Sequence, residues 1–220
     1  MTGSGFAVDA IGFDFDHTLG VDRRLERSVA LQLLGPGHEQ AVDLALASYR
    51  YGARSFDEAI ALTGLDPRSF RTLVVEQAPK FVTPLAGTPE LLLGLRRLGI
   101  PMAILSNGWS PLQETKAALV GFEGPVLVSD DIGVRKPRLA AFLQLQRALG
   151  VAAERILYVG DDPVSDMLGA LSARMQAMWL DAEGRSYPQD VAAPTARVVE
   201  LQGVLAFVQG PLSQTANPPA

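Results

Sequence analysis

The chain has 220 residues, 48% of them hydrophobic and 20% charged, a balance that supports a globular fold with a sizeable core. Its net charge of −5, without a long basic run, excludes general nucleic-acid binding by phosphate neutralisation. With no cysteine, thiol nucleophiles, disulfide frameworks and cysteine-rich zinc sites are excluded as well.

The start, MTGSGFAVDAIG, lacks the basic stretch and long apolar core of a signal peptide. No apolar run reaches membrane-spanning length, so a cytoplasmic protein without a membrane partner is expected. The first apolar run, FAVDAIGFDF, reads as a buried strand and ends on Asp14 and Asp16. Residues 21–84 then read as helices around 24–34, 38–51, 55–62 and 67–78, with turn signals at LGPGH and LTGLDP and no strong strand.

Beyond 84 strands and helices alternate. PELLLGLRRLG puts Leu91, Leu92, Leu95 and Leu98 on one side, with Pro89 near its start and Gly99 near its end. IPMAILSN reads as a strand, PVLVSDD as a weaker one, and PRLAAFLQLQRALG as a helix closed by Gly150. RILYVGDD and QAMWLDA are strands on either side of a helix at PVSDMLGALSARM, and the proline-rich end, 209–220, reads as disordered. The pattern predicts an α/β fold, a doubly wound, mostly parallel sheet. Its core covers 1–20 and 85–208, interrupted by a helical insertion at 21–84.

Ligands of such sheets bind beyond the carboxyl ends of the strands. The strand ends supply Asp14 and Asp16, then Ser106 and Asn107, then Asp161 and Asp162 with Asp166 shortly after, and a loop supplies Lys136. If they converge, several carboxylates repel one another strongly, and either some protonate or a cation sits among them. Magnesium suits hard oxygen donors, and only two histidines, His17 and His38, are present for zinc. A lysine and a hydroxyl suit phosphate oxygens, and the set as a whole describes phosphoryl transfer.

Plainer roles stand beside these. Asp14 and Asp16 also suit a capped turn, Ser106 and Asn107 a helix cap, and Lys136 a solvated surface. Asp161, Asp162 and Asp166 suit an acidic helix start. That role explains Asp162 as well as function does and Asp161 less well, because Gly160 points to the close approach of a ligand. His17 and Trp109 fit packing better than chemistry, and Tyr49, Arg50, Tyr51 and Arg54 fit an ordinary polar helix face.

Taken in order, GFDFDHTL, ILSNG, VRKP and VGDDPVSD resemble the four motifs of the haloacid-dehalogenase-like hydrolase superfamily over nearly the whole chain. The insertion lies where that family carries a helical cap. The resemblance implies Asp14 as the nucleophile that forms an aspartyl-phosphate, and Asp16 as general acid and then base. It implies Ser106, with Asn107, and Lys136 as holders of the phosphoryl oxygens. It also implies magnesium bound by Asp14, the backbone carbonyl of Asp16 and Asp161, supported by Asp166. Tyrosine is common in the dehalogenases where Asp16 stands here. A leaving alkoxide needs a proton and a halide does not, so a phosphatase of a small phosphorylated metabolite is expected. A sugar phosphomutase shares these motifs. A phospho-aspartate receiver or binding protein fits less well, because Lys136 precedes Asp161 and an insertion follows the first strand.

Overall fold

The computed structural model describes residues 7–210. Strand β1 (Ala10–Phe13) is buried throughout. A tight loop leads to β2 (Gly20–Val21) and then to four helices: α1 (Leu25–Leu34), α2 (Glu39–Arg50), α3 (Phe56–Ala61) and α4 (Pro67–Phe81). Strand β3 (Thr83–Pro84) returns antiparallel to β2, with Val21 opposite Thr83. The chain continues through α5 (Thr88–Arg97), β4 (Met102–Ser106), α6 (Leu112–Leu119), β5 (Val126–Val128), α7 (Ser129–Ile132) and α8 (Leu139–Leu149). Strand β6 (Ile156–Gly160) ends in a wide π-type turn, Pro163–Leu168, that runs into α9 (Gly169–Ser172). Strands β7 (Gln176–Leu180) and β8 (Ala196–Val198) and helix α10 (Gln202–Gln209) complete the described chain.

Local chemistry sets the helix ends. Ser55 and Glu58 form a reciprocal capping box at the start of α3. Asp66 caps α4 by accepting from the Ser69 N–H at 2.9 Å, with Pro67 at the first helical position. Gly150 closes α8 in the left-handed conformation.

The six-stranded sheet runs in the order β5-β4-β1-β6-β7-β8, with every pairing parallel. It is the expected doubly wound α/β arrangement, and it puts β1 between β4 and β6. Alternation along the strands divides the core between the two faces. Ile11, Phe13, Ile104, Leu157 and Val159 pack on the side of α5 and the inserted helices. Ala10, Ala103, Leu105 and Tyr158 pack on the side of α8 and α9. Gly12 permits the close approach of α8, since a Cβ there would lie 2.5 Å from Leu145 Cδ2.

Four elements differ from expectation. β1 starts at Ala10, well inside the apolar run, and the helix expected at 163–175 is divided between the π-type turn and α9. β8 and α10 have no counterpart in the sequence pattern: β8 has three residues with no fully buried side chain, too little for a period-two signal. The disorder expected from 209 falls outside the described residues from 211 onward, and Gln209 closes α10.

The inserted helices share the core of the sheet. Phe56 is buried, with ring centroids 5.2 Å from Tyr49, 6.1 Å from Phe70 and 4.7 Å from Trp109. Arg71 lies over both the Phe56 and Trp109 rings at 4.6 Å. Truncating Phe56→Ala removes this hub, and a loss of about 3–5 kcal/mol of stability is expected in chemical denaturation.

Candidate active site

β1, β4 and β6 are neighbours in the sheet, so their carboxyl ends open at one place. β1 delivers Asp14, β4 delivers Ser106 and Asn107, and β6 delivers Asp161, with Asp166 following in the π-type turn. The loop between α7 and α8 adds Lys136. All of these residues, with Asp16, line one cavity of about 470 Å³. The structure therefore brings together every residue singled out at the strand ends.

Lys136 is the hub. Its buried ammonium lies 2.6 Å from Asp14 Oδ1 and 2.7 Å from Asp166 Oδ1, and it donates to Tyr158 Oη at 3.0 Å. Tyr158 in turn donates to the Leu105 carbonyl at 3.1 Å. Oxygens of Asp14, Asp161 and Asp166 all lie within 4.8 Å of one another. Lys136 pairs with two of these carboxylates and Arg185 Nη2 lies 3.3 Å from Asp161 Oδ2, so two cations face three carboxylates and the cluster carries excess negative charge in a medium that screens it poorly.

The proton affinities follow from that excess. Burial pushes the Asp14 carboxyl up to about 7, with Lys136 pulling it down and Asp166 and Asp16 adding to the rise. Burial, with the Asp14 charge, pushes Asp161 up to about 6. Burial also raises Asp166 against the pull of Lys136. Burial works against the charged form of Lys136, but the Asp14 and Asp166 carboxylates outweigh it and hold the ammonium firmly protonated. The cluster therefore takes either a proton or a cation. Its donors are carboxylate oxygens, which fit magnesium, a hard divalent ion.

Neighbouring groups fix these side chains. Asn107 holds the Lys136 backbone at two points: Nδ2 donates to the carbonyl at 3.1 Å and Oδ1 accepts from the N–H at 2.8 Å. Its amide shapes the loop, a task the sequence does not announce. Asp162 caps the π-type turn, accepting from the N–H groups of Val164 at 2.8 Å and Ser165 at 2.7 Å, as its plainer reading anticipates. The Asp161 carbonyl accepts from Trp179 Nε1 at 2.9 Å and from Arg185 Nη2 at 2.7 Å. Gly160 has a different reason from the ligand approach inferred above: a Cβ there would lie 2.5 Å from Asp166 Cγ and 2.7 Å from its Cβ. The close neighbour is a carboxylate of the chain itself.

Asp16 belongs to a second charge group. Its Oδ1 lies 2.5 Å from Lys116 Nζ, which also contacts Asp22 Oδ2 at 3.0 Å. The Asp16 side chain is thus outside the three-carboxylate group, leaving its backbone carbonyl for the ligand role that the resemblance implies. The Asp16 and Asp22 charges hold the Lys116 ammonium above its ordinary range despite burial. Burial favours the neutral form of Asp22, but Lys116 prevails and lowers it. Trp109 is 1% exposed and donates to Glu26 Oε1 at 2.7 Å across to the inserted helices, and burial raises the Glu26 carboxyl. Tyr49 is buried beneath the Arg135 guanidinium, 4.9 Å from its ring, and donates to Asp130 at 3.1 Å, while Arg50, Tyr51 and His17 line the cavity.

Lys116, Asp22, Glu26, Tyr158 and Arg185 are absent from the sequence-derived set. Lys116 has a readable signal: four residues after buried Leu112, it lies on the inward face of α6.

Fold and acidic cluster together define a doubly wound α/β enzyme. The family model described as haloacid dehalogenase-like hydrolase matches residues 8–174, and the chain belongs to that family. It is 29% identical over 210 residues to pyrimidine 5'-nucleotidase YjjG of Escherichia coli, covering 89% of this chain and 92% of the relative. It is 35% identical over 170 residues to a phosphoserine phosphatase of Thermus thermophilus, covering 73% and 67%. A solved HAD phosphatase from Thermococcus onnurineus superposes with a TM-score of 0.72 at 24% identity, over 90% of this chain and 96% of that one. The L-2-haloacid dehalogenase of Xanthobacter autotrophicus gives 0.69 at 20%, over 92% and 99%. At these identities the structural likenesses show a shared fold.

Two outcomes are expected. Gly160→Ala displaces Asp166, so it lowers thermal stability and weakens divalent-cation binding measured by calorimetry. Asp14 has a folded value of about 7 against an ordinary 3.8. Between those values the folded state binds more protons than the unfolded one, so its contribution to stability falls as pH rises through the window. In chelator, the melting temperature should drop from about pH 5 to about pH 8, and Asp14→Asn should shrink that drop.

Proposed function

We propose that the protein is a magnesium-dependent phosphatase that hydrolyses a small phosphate monoester through an aspartyl-phosphate on Asp14. The observation that carries this reading is the cluster of Asp14, Asp161 and Asp166, with Lys136 bridging Asp14 and Asp166, in the wall of one cavity. The activities for which two relatives are named, a nucleotidase and a phosphoserine phosphatase, support it. Residues 21–84 act as a cap over the cavity, limiting substrate size and excluding water. A cytoplasmic location fits the same reading, and among the described residues no helix is long and apolar enough to cross a membrane.

Asp14 Oδ attacks phosphorus as the ester P–O bond breaks. Asp16 gives its proton to the leaving oxygen, then takes one from the water that opens the acyl phosphate, regenerating Asp14 and releasing phosphate. Lys136 keeps Asp14 aimed and, with Ser106, offers donors to the phosphoryl oxygens. Asp14, Asp161 and Asp166, with the Asp16 carbonyl, would hold magnesium, which offsets charge on the phosphoryl group. The half-exposed Asp16 carboxylate favours ester hydrolysis over dehalogenation, because only an alkoxide needs its proton.

Asp14→Asn should reduce phosphate release from a generic ester by at least about 1,000-fold while the fold is kept, and chelation should reduce it comparably until magnesium is restored. A malachite-green assay across phosphorylated metabolites reads both. Full activity in Asp14→Asn rejects the assignment, and an isomerised sugar phosphate in place of free phosphate makes the enzyme a mutase.

A further inference from the structure

We infer that Lys116 is the positioning residue for Asp16: it fixes one carboxylate oxygen and leaves the other for the ester. The inference rests on the phosphatase reading above. Lys116 is 1% exposed, and a buried ammonium is costly unless paired and hydrogen-bonded. It is paired on two sides, with Asp16 Oδ1 at 2.5 Å and Asp22 Oδ2 at 3.0 Å. Its ammonium also stands 5.2 Å over the Phe15 ring. Phe15 separates the two catalytic aspartates and is itself fully buried.

The two oxygens of Asp16 are therefore unequal. Oδ1 carries a short charge-assisted bond, whereas Oδ2 has a 3.5 Å contact from Gln113 Nε2. Asp16 lines the cavity with a side chain 35% exposed. Proton transfer needs the donor oxygen within hydrogen-bond reach of the ester oxygen. With Oδ1 held by Lys116, Oδ2 is the oxygen left to meet the ester, and the carboxyl needs less ordering before it does so.

Asp22 completes the clamp. It directly follows β2, and its Oδ1 accepts from the Arg24 N–H at 3.1 Å. Lys116 thus ties Asp16 to α6 on one side and to the base of the inserted helices on the other. In the first half-reaction the proton on Asp16 Oδ2 goes to the ester oxygen, which keeps the electron pair of the broken P–O bond while Asp14 bonds to phosphorus. Lys116 stays protonated throughout.

The test compares two esters, p-nitrophenyl phosphate, whose leaving group needs little protonation, and glycerol phosphate, whose alkoxide needs it fully. Lys116→Met should lower kcat on glycerol phosphate by about 100-fold or more and on the aryl ester by less than about 10-fold, with KM nearly unchanged. Lys116→Arg, which keeps the charge and a donor, should recover most of the loss on glycerol phosphate. Equal losses on both esters, or a change confined to KM, overturn the inference. If circular dichroism shows that Lys116→Met does not fold, Asp22→Asn takes its place and should show the same selective loss, with equal losses again overturning the inference. Asp16→Asn tests the underlying reading separately: equal losses on both esters there reject Asp16 as the proton donor, whatever Lys116 does.

Discussion

One ammonium, that of Lys136, holds the floor of the cavity together. It bridges a carboxylate from the end of β1 and one from the turn after β6, with Tyr158 filling the remaining side. Without that charge, Asp14, Asp161 and Asp166 would be three acids packed within 4.8 Å in a poorly screening environment. With it, the cluster still lacks positive charge. The shortage raises the proton affinity of Asp14 and Asp161, and it is the charge deficit on which the proposed cation and phosphoryl binding rests. Sheet order, the missing side chain at residue 160 and the Asn107 clasp on the Lys136 loop all serve to keep these groups in place.

A second ammonium divides the labour of the first motif. Asp14 and Asp16 are two residues apart, yet each answers to a different lysine from a different segment. Asp14 is sunk among charges and kept still. Asp16 stands at the rim, held from one side and open on the other. The roles proposed for them, nucleophile and proton carrier, call for such different surroundings, and a strand end with one buried aromatic, Phe15, between the two supplies both.

Much of this was legible in the sequence for a geometric reason. A parallel sheet gathers the carboxyl ends of its strands, so Asp14, Ser106, Asn107 and Asp161 announce themselves as polar groups that close apolar runs. Lys136 and Asp166 are found by their position just beyond such runs. What stayed hidden lies inside the elements. Tyr158 looks like any strand residue, and its hydroxyl acquires meaning only when the Lys136 loop folds over it. Lys116 looks like a helix-surface lysine until its register with Leu112 places it inward. Gly160 was read correctly as a close approach and incorrectly as to its neighbour, because sequence spacing does not reveal that the turn after β6 brings Asp166 back onto it. The continuous helix expected there yields to a wider turn that starts on the Asp162 cap.

The pairing of Val21 with Thr83 and of Gly20 with Pro84 sets the two ends of the inserted segment side by side. The whole excursion is therefore a detour from a two-rung ladder, and the strand order of the main sheet does not depend on it. A segment of another length can start and end on those rungs without changing the order of the strands that carry the acids. The length of the excursion and the arrangement of the acidic strand ends can thus vary independently along one chain.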